Sequence, residues 1–172
     1  MITGYQLRAG IAATKLTAKE ISNLIGLHDI TLIRLNRTAN MEYLRCYSRN
    51  NDLLESFFES KNIIFPCIHS VRLKNELGNN EFNPFTLTRF QLVCARIATG
   101  LNQHELSKII KISSGTISLL EALDNNETLK SRKINFSLLK KFFQHAGINF
   151  EDRFTVNIKQ DPSIFFKKKD VS

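Results

Sequence analysis

The chain has 172 residues, of which 42% are apolar, and its 24 Lys and Arg against 16 Asp and Glu give a net charge of +8. This length suits one ordinary domain or two very small ones. No apolar run reaches the ~18 residues of a membrane span, and no signal-peptide block opens the chain, so we expect a cytoplasmic protein without a membrane segment. The positive charge favours nucleic acid as a partner, with an acidic protein, a membrane surface or a merely solvated basic surface as alternatives.

Two helix starts are predicted near the N-terminus. Thr3-x-x-Gln6 and Thr17-x-x-Glu20 fit capping boxes, in which both side chains bind free N–H groups of a first helical turn. The first helix should therefore end near residue 14. The second is short and amphipathic, with Ile21, Leu24 and Ile25 on one face.

The next predicted elements are a helix that contains the aromatic pair Phe57 and Phe58, followed by a β-like segment, IIFPCIHSVRL. Pro66 should lie at a turn or a sheet edge. After this segment, ELGNNEFNP collects Gly, Asn and Pro, which predicts a boundary within residues 75–84.

The remainder of the chain repeats this plan at an offset of 85 residues. Roughly a third of positions 3–74 carry the same residue 85 positions later, without a gap, which indicates an internal duplication. We therefore predict a first copy at residues 1–75, a linker at 76–84, a second copy at 85–160 and a basic tail at 161–172. Matching residue pairs include Thr3 and Thr88, Gln6 and Gln91, Glu20 and Glu105, Leu35 and Leu120, Phe57 and Phe142, Phe58 and Phe143, and Val71 and Val156.

The second copy accordingly predicts helices that start at Thr88-x-x-Gln91, at Asn102-x-x-Glu105 and at Ser113. A further helix, NFSLLKKFFQHAG, should place five apolar residues on one stripe and end at Gly147. A β-like segment, INFEDRFTVNI, closes the copy. The predicted stripe consists of Leu138, Leu139, Phe142, Phe143 and Ala146.

The segment LNQHELSKIIKISSGTISLLE closely resembles the helix-turn-helix of the lambda-repressor and Cro family, and TGYQLRAGIAATKLTAKEISNLIGLHDITLIRLN resembles it more weakly. The resemblance implies a mostly α fold with two tandem lambda-repressor-like helical domains, each ending in a short β segment or hairpin. It also implies that the second motif helix of each copy lies in the major groove of double-stranded DNA.

Residue by residue, the resemblance assigns DNA-contacting positions in both copies. Gln103 matches the family glutamine whose amide can bond a phosphate and brace a base-reading side chain. The base-reading positions of the second copy are Ser113, Ser114, Gly115, Thr116 and Leu119, and those of the first copy are His28, Asp29, Ile30, Thr31 and Arg34. The resemblance also pairs Arg96 with Glu121 as an internal ion pair, which Ile11 and Asn36 replace in the first copy.

Some residues depart from the family pattern. The turn glycine is kept as Gly26 but is Lys111 in the second copy, and Asp29 and Ile30 suit few base edges. Positive charge also favours the second copy, because residues 85–160 hold 11 basic and 6 acidic groups against 10 and 8 in residues 1–84. Lys130, Arg132 and Lys133 should lie beside the DNA backbone, as should Arg37, Arg45 and Arg49 in the first copy.

Enzymatic chemistry is not indicated. His104-Glu105 begins like a zinc-protease helix, but Lys108 stands where the second histidine belongs, and neither paired cysteines nor a phosphate-binding loop occurs. We expect no cofactor and no metal. Two hypotheses remain: a bacterial transcriptional regulator that acts as a monomeric pseudo-dimer or a homodimer, and an antitoxin or protein-interaction module with a protein partner. If the copies form a pseudo-dimer, their β segments should meet at the junction between them.

Overall fold

The computed structural model describes residues 1–74, 85–132 and 134–167, which form nine helices and one four-stranded antiparallel sheet. The first copy contains α1 (Gly4–Thr14), α2 (Ala18–Ile25), α3 (Asp29–Leu35), α4 (Ser48–Ser60), β1 (Ile63–Ile64) and β2 (Ser70–Leu73). The second copy contains α5 (Arg89–Thr99), α6 (Gln103–Ile110), α7 (Ser114–Ala122), α8 (Phe136–His145), β3 (Ile148–Phe150) and β4 (Thr155–Ile158), and α9 (Ser163–Lys167) lies in the tail. The fold is thus mostly helical with a small sheet. The predicted boundary at residues 75–84 lies outside the described residues.

All four predicted capping boxes are confirmed. At each one, the N-cap side chain accepts a hydrogen bond from the backbone of the residue three positions on, whose own side chain accepts from the N-cap N–H. Thr14 and Thr99 end α1 and α5 where the sequence predicts, and a left-handed residue follows each helix. That residue is Lys15 in the first copy and Gly100 in the second.

The sheet joins the two copies. Its strand order is β1-β2-β4-β3, and the central pair is antiparallel with Val71 opposite Val156. These valines occupy equivalent positions in the two copies. A local two-fold axis therefore passes between them and relates β2 to β4. Both valines are fully buried. The expectation that the β segments meet at the junction is confirmed.

A second layer of the junction has the same symmetry. Helices α1 and α5 pack against each other, and the amide of Asn40 donates to the carbonyl oxygen of Ala98 at 2.9 Å. The equivalent Asn125 donates to the carbonyl oxygen of Ala13 at 3.0 Å. One contact is therefore made twice, once in each direction, as an isologous interface requires.

Buried apolar residues from both copies form one continuous core. Phe57, Phe58 and Phe143 are buried in it, as the sequence predicts, and Phe142 packs against its edge. The predicted stripe of α8 is wrong in one member, because Leu138 is exposed.

The inward face of α8 instead follows helical spacing from Phe136 through Leu139 and Lys140 to Phe143. Leu138 lies just outside this face. The stripe is thus rotated from the predicted one, and a lysine takes one of its positions.

The described part of the tail packs on the body. In α9, the ring of Phe166 lies 5.6 Å from that of Phe142, and α9 also contacts α5. Asp161 accepts a hydrogen bond from the amide of Asn40 at 2.6 Å. No helix in the described ranges is both long enough and apolar enough to cross a bilayer.

Lys140 should make stability depend on pH. Its ammonium donates to the carbonyl oxygen of Thr86 at 3.1 Å and lies 5.5 Å from the centroid of the Phe150 ring, and burial lowers the pKa of Lys140 to about 8. Because the unfolded lysine titrates near 10.4, the unfolded chain binds more protons above about pH 8 and the free energy of unfolding should rise toward about pH 10.

Urea denaturation across this pH range measures the effect. The free energy of unfolding of the native chain should rise relative to that of Lys140→Met as the pH rises from about 8 to about 10, by at most about 3 kcal/mol. Lys141→Met, which changes an exposed neighbour, should keep the native dependence. Parallel profiles for the native chain and Lys140→Met would contradict this assignment.

Candidate nucleic-acid interface

The second copy contains two short helices joined by a tight turn. Helix α6 ends at Ile110, the next residue Lys111 adopts a left-handed conformation with φ of 55°, and α7 follows after Ser113. Leu106 of α6 and Ile117 of α7 are both buried. Lys111 therefore takes the left-handed conformation that a glycine would take at this turn. The cost of this conformation is the strain of one non-glycine residue at positive φ.

The five base-reading positions predicted in the second copy lie at the N-cap and in the first two turns of α7, and none of them is buried. Ser113 is the N-cap: its hydroxyl accepts from the N–H of Thr116 at 3.1 Å and lies 2.8 Å from the Thr116 hydroxyl. Ser114 and Gly115 complete the first turn, and Leu119, 73% exposed, follows one turn later. This end of α7 therefore presents short polar groups and one large apolar side chain.

Gly115 has no structural reason to be a glycine. A Cβ atom built there meets no neighbour closer than the Ser113 hydroxyl at 4.0 Å, and the backbone is helical. Glycine inside a helix costs about 0.5–1 kcal/mol relative to alanine. Packing within the folded chain therefore does not account for a glycine at this position.

The predicted ion pair between Arg96 and Glu121 is confirmed. Arg96 Nε and Nη2 donate to the two carboxylate oxygens of Glu121 at 2.6 and 2.8 Å, and the Glu121 side chain is only 8% exposed. The pair ties the end of α5 to the end of α7. Such a two-point bond fixes both the distance and the orientation of its partners.

The Gln103 side chain is hydrogen-bonded to the Arg96–Glu121 ion pair. Its Nε2 donates to a Glu121 carboxylate oxygen at 2.9 Å. One amide hydrogen of Gln103 is thus bound within the protein, and the bond from this amide to a DNA phosphate stays a prediction. The bond holds the start of α6 against the end of α7.

Basic residues follow the motif in both copies at equivalent places. The N–H of Leu129 donates to the carbonyl oxygen of Leu87, and the N–H of Leu44 donates to that of Ile2. Exposed Lys130 and Arg45 come directly after these two anchored leucines. Arg132 is also exposed, Lys133 lies outside the described residues, and Arg37 and Arg49 are exposed on the first copy.

In the first copy, α3 presents a different surface. His28 is its N-cap, with Nδ1 accepting from the N–H of Ile30 at 3.3 Å and lying 3.2 Å from an Asp29 carboxylate oxygen. Ile30 is 67% exposed, and Ile33 of the same helix and Leu24 of α2 are exposed as well. The first copy thus exposes three large apolar side chains on its two motif helices.

A hollow of about 530 Å³ opens beside α3, and the predicted residues Thr31 and Arg34 line it together with Arg45 and Tyr47. Tyr47, which is highly exposed, is not among the predicted DNA-contacting residues. It occupies the position equivalent to Arg132, which is among them, so the 85-residue offset was the signal that could have identified it. An exposed tyrosine in a basic hollow can donate a hydrogen bond to a phosphate.

The described residues contain no group of three or more His, Cys, Asp or Glu side chains placed to hold a metal ion. Comparisons of the chain with protein-family models, with curated proteins and with solved structures find no match.

Proposed function

We propose that this chain is a sequence-specific DNA-binding transcriptional regulator built from two tandem lambda-repressor-like copies, which act together as a covalent pseudo-dimer. The observation that carries the proposal is the local two-fold rotation between the copies at Val71 and Val156. B-form DNA has two-fold axes of its own, so a protein with this symmetry can place two equivalent helices on one palindromic site. We call α3 and α7 the reading helices.

In this proposal the second copy is the main reader. Ser114 and Thr116 reach base edges, and Gly115 lets the backbone of α7 come close to the groove wall. Lys130, Arg132 and Lys133 bind phosphates and supply most of the affinity. Because short side chains make few two-point base contacts, DNA shape contributes to selectivity. The internally held Gln103 and Glu121 support α7 in its orientation.

A gel-shift assay on genomic fragments over a salt series tests the proposal. We expect retarded complexes whose affinity falls steeply and linearly on a logarithmic scale of salt, with some fragments bound more tightly than bulk DNA. Equal affinity for all fragments would leave only non-specific charge attraction. Absence of any complex at low salt would refute DNA binding.

Two sets of substitutions should separate phosphate contacts from base contacts. Lys130→Ala with Arg132→Ala should weaken binding to every sequence and reduce the salt slope by about 2. Ser114→Ala with Thr116→Val should leave the slope unchanged and alter which sequence is preferred. Selection from a random DNA pool measures the preference. The assignment fails if the two double variants change the same property.

Gly115→Ala should improve stability and impair DNA binding. Alanine favours the helix by about 0.5–1 kcal/mol, and the protein has room for the methyl group. If the backbone of α7 approaches DNA at this position, the same methyl group should lower specific affinity by at least about tenfold, or ~1.4 kcal/mol. Thermal denaturation and gel shifts give the two values. Unchanged affinity would remove Gly115 from the interface.

The exposed Leu24, Ile30 and Ile33 favour a second function for the first copy, namely binding of a protein, as in an antitoxin or an interaction module. Ile30→Asp with Ile33→Asp should then abolish partner binding while DNA binding by the second copy persists. The same variant should instead reduce DNA affinity if α3 reads DNA. A pull-down and a gel shift on one preparation distinguish these outcomes.

A further inference from the structure

One side of the junction between the copies contains an open cavity of about 450 Å³, which we call the junction cavity. Both copies and the tail line it. The lining includes Arg8, Arg37, Ala39, Arg96, Gly100 and Asp161. Its volume lies in the range of sites that hold metabolites.

On the two-fold-related side, the corresponding space is bridged by a side chain. Lys15 Nζ donates to the carbonyl oxygen of Ala122 at 3.0 Å and lies 3.2 Å from a carboxylate oxygen of Asp124. Gly100 and Ala39 occupy the positions equivalent to Lys15 and Asp124. The junction cavity is therefore the place where one copy of a lysine–aspartate bridge is missing.

The two sides differ in their arginines. The positions equivalent to Arg8, Arg37 and Arg96 are held by Val93, Ala122 and Ile11, none of which is charged. The other side has Arg89 instead, which donates to the carbonyl oxygens of Ala12, Ala13 and Glu121 and to the Asn125 side chain. Three arginines thus converge on the side that is left open.

Two of these arginines are fixed by the protein. Arg96 binds Glu121, and Arg8 donates to the carbonyl oxygens of Asn36 and Thr38 at 2.8 and 2.5 Å. Arg37 makes no side-chain hydrogen bond or ion pair within the described part of the chain, so its guanidinium is available to a ligand.

Asp161 is the one carboxylate among the described lining residues, and it does not bind an arginine directly. It accepts hydrogen bonds from the amide of Asn40 at 2.6 Å and from the N–H of Ser163 at 3.0 Å. It therefore orders the tail at the cavity edge and offsets only part of the positive charge.

We propose that the junction cavity binds a small ligand through a phosphate or carboxylate group, with Arg37 as the cation that engages the group and Arg8 as a fixed positive wall. Guanidinium groups bind such anions through paired N–H donors. The lining residues of the site lie outside the reading helices. Two sources can supply the group: a free metabolite, or a phosphate of bound DNA.

The proposal can be tested by filling the cavity with a second copy of the lysine–aspartate bridge. Ala39→Asp with Gly100→Lys rebuilds on this side the pair formed by Lys15 and Asp124. The substitution at Gly100 is compatible with the backbone, because its φ of 75° resembles the 61° of Lys15 and an added Cβ would lie 3.7 Å from the nearest atom.

Inorganic phosphate is the probe, and its binding is measured by calorimetry or by chemical shifts without DNA. We expect saturable binding to the native chain that weakens at least tenfold in the filled variant and in Arg37→Ala. The matched control is Lys15→Gly with Asp124→Ala, which opens the other side, where Arg89 is held by protein acceptors and Ala122 stands at the position of Arg37. That variant should bind phosphate no better than the native chain.

Phosphate binding that is absent from the native chain, or equally strong in the filled variant, overturns the proposal. Gel shifts with the filled variant identify the source of the group. Retained DNA affinity assigns the cavity to a free small ligand, whereas a loss matched by Arg37→Ala assigns it to a DNA phosphate. Failure of DNA binding altogether refutes the proposed function and leaves the phosphate titration interpretable.

Discussion

Arg96→Ala is expected to lower the free energy of unfolding by about 3–5 kcal/mol, as is Glu121→Ala. Each change removes one member of a bidentate ion pair, and a buried charge is left without its partner. For Arg96→Ala that charge is Glu121, whose side chain is 8% exposed and whose other hydrogen bond comes only from Gln103 among the described residues. Urea denaturation measures both variants.

The first copy supplies the matched control. Its equivalents of Arg96 and Glu121 are Ile11 and Asn36, which fold in the same surroundings without an ion pair. Arg96→Ile with Glu121→Asn should therefore cost clearly less than either alanine variant, because no charge is left unpaired. A double variant that costs as much as the sum of the two alanine variants would mean that the two charges are not coupled. The unpaired buried charge would then not be the cause of the single-variant losses.

The helix starts were predictable because their causes are local. A capping box needs two side chains three residues apart, so Thr3 with Gln6 and Asn102 with Glu105 fix helix starts with no information from the rest of the chain. The ion pair was predicted from the family resemblance. The comparison of the copies supported it, because both charges are present in one copy and both are absent from the other, and a buried charge without its partner is costly.

The pairing of the copies was predictable because an isolated β hairpin has little stability of its own. Two-stranded hairpins are marginal in water, so β segments that end both copies gain most by pairing with each other. The internal repeat then restricts the arrangement, because two equivalent strands pair most simply across a two-fold axis. The observed register, with Val71 opposite Val156, meets this condition.

Two arginines make equivalent hydrogen bonds in the two copies, and the alignment of the copies does not reveal this. Arg8 donates to the carbonyl oxygen of Asn36 and to Asn40 Oδ1, and Arg89 donates to the equivalent carbonyl oxygen of Glu121 and to Asn125. The two arginines do not stand at equivalent positions, since they lie one helical turn apart in the alignment of the copies. An alignment therefore scores both positions as mismatches, although the bonds are the same.

Close packing around Gly4 accounts for the different position of the arginine in the first copy. It occupies the position equivalent to Arg89, and a Cβ atom there would lie 2.3 Å from the carbonyl oxygen of Thr38. No side chain fits at that position in the first copy, so the cation is supplied from the next turn of α1. Such close backbone approach depends on tertiary packing, which leaves no local pattern in the sequence. The direction of Gln103 and the junction cavity were unpredictable for the same reason.

The arrangement of the copies predicts how binding should depend on the DNA site, which can be tested by changing the DNA and not the protein. The preferred site, once selected from a random pool, should be an imperfect palindrome that is specified more tightly in the half bound by α7. Because β2 and β4 pair and α1 packs on α5, the reading helices should hold one fixed spacing of roughly 34 Å, or one DNA turn.

Inserting about 5 base pairs between the half-sites rotates one half to the opposite face of the duplex. The chain can then engage only one half-site at a time, so affinity should fall by about 10²–10⁴-fold, to the value for a single half-site. Inserting about 10 base pairs restores the face but doubles the spacing, and the rigid junction should not span it. Two independently tethered copies would recover affinity with the longer insertion. Affinity that recovers there, or that is unchanged by the shorter insertion, would therefore refute the pseudo-dimer while leaving DNA binding by the second copy in place.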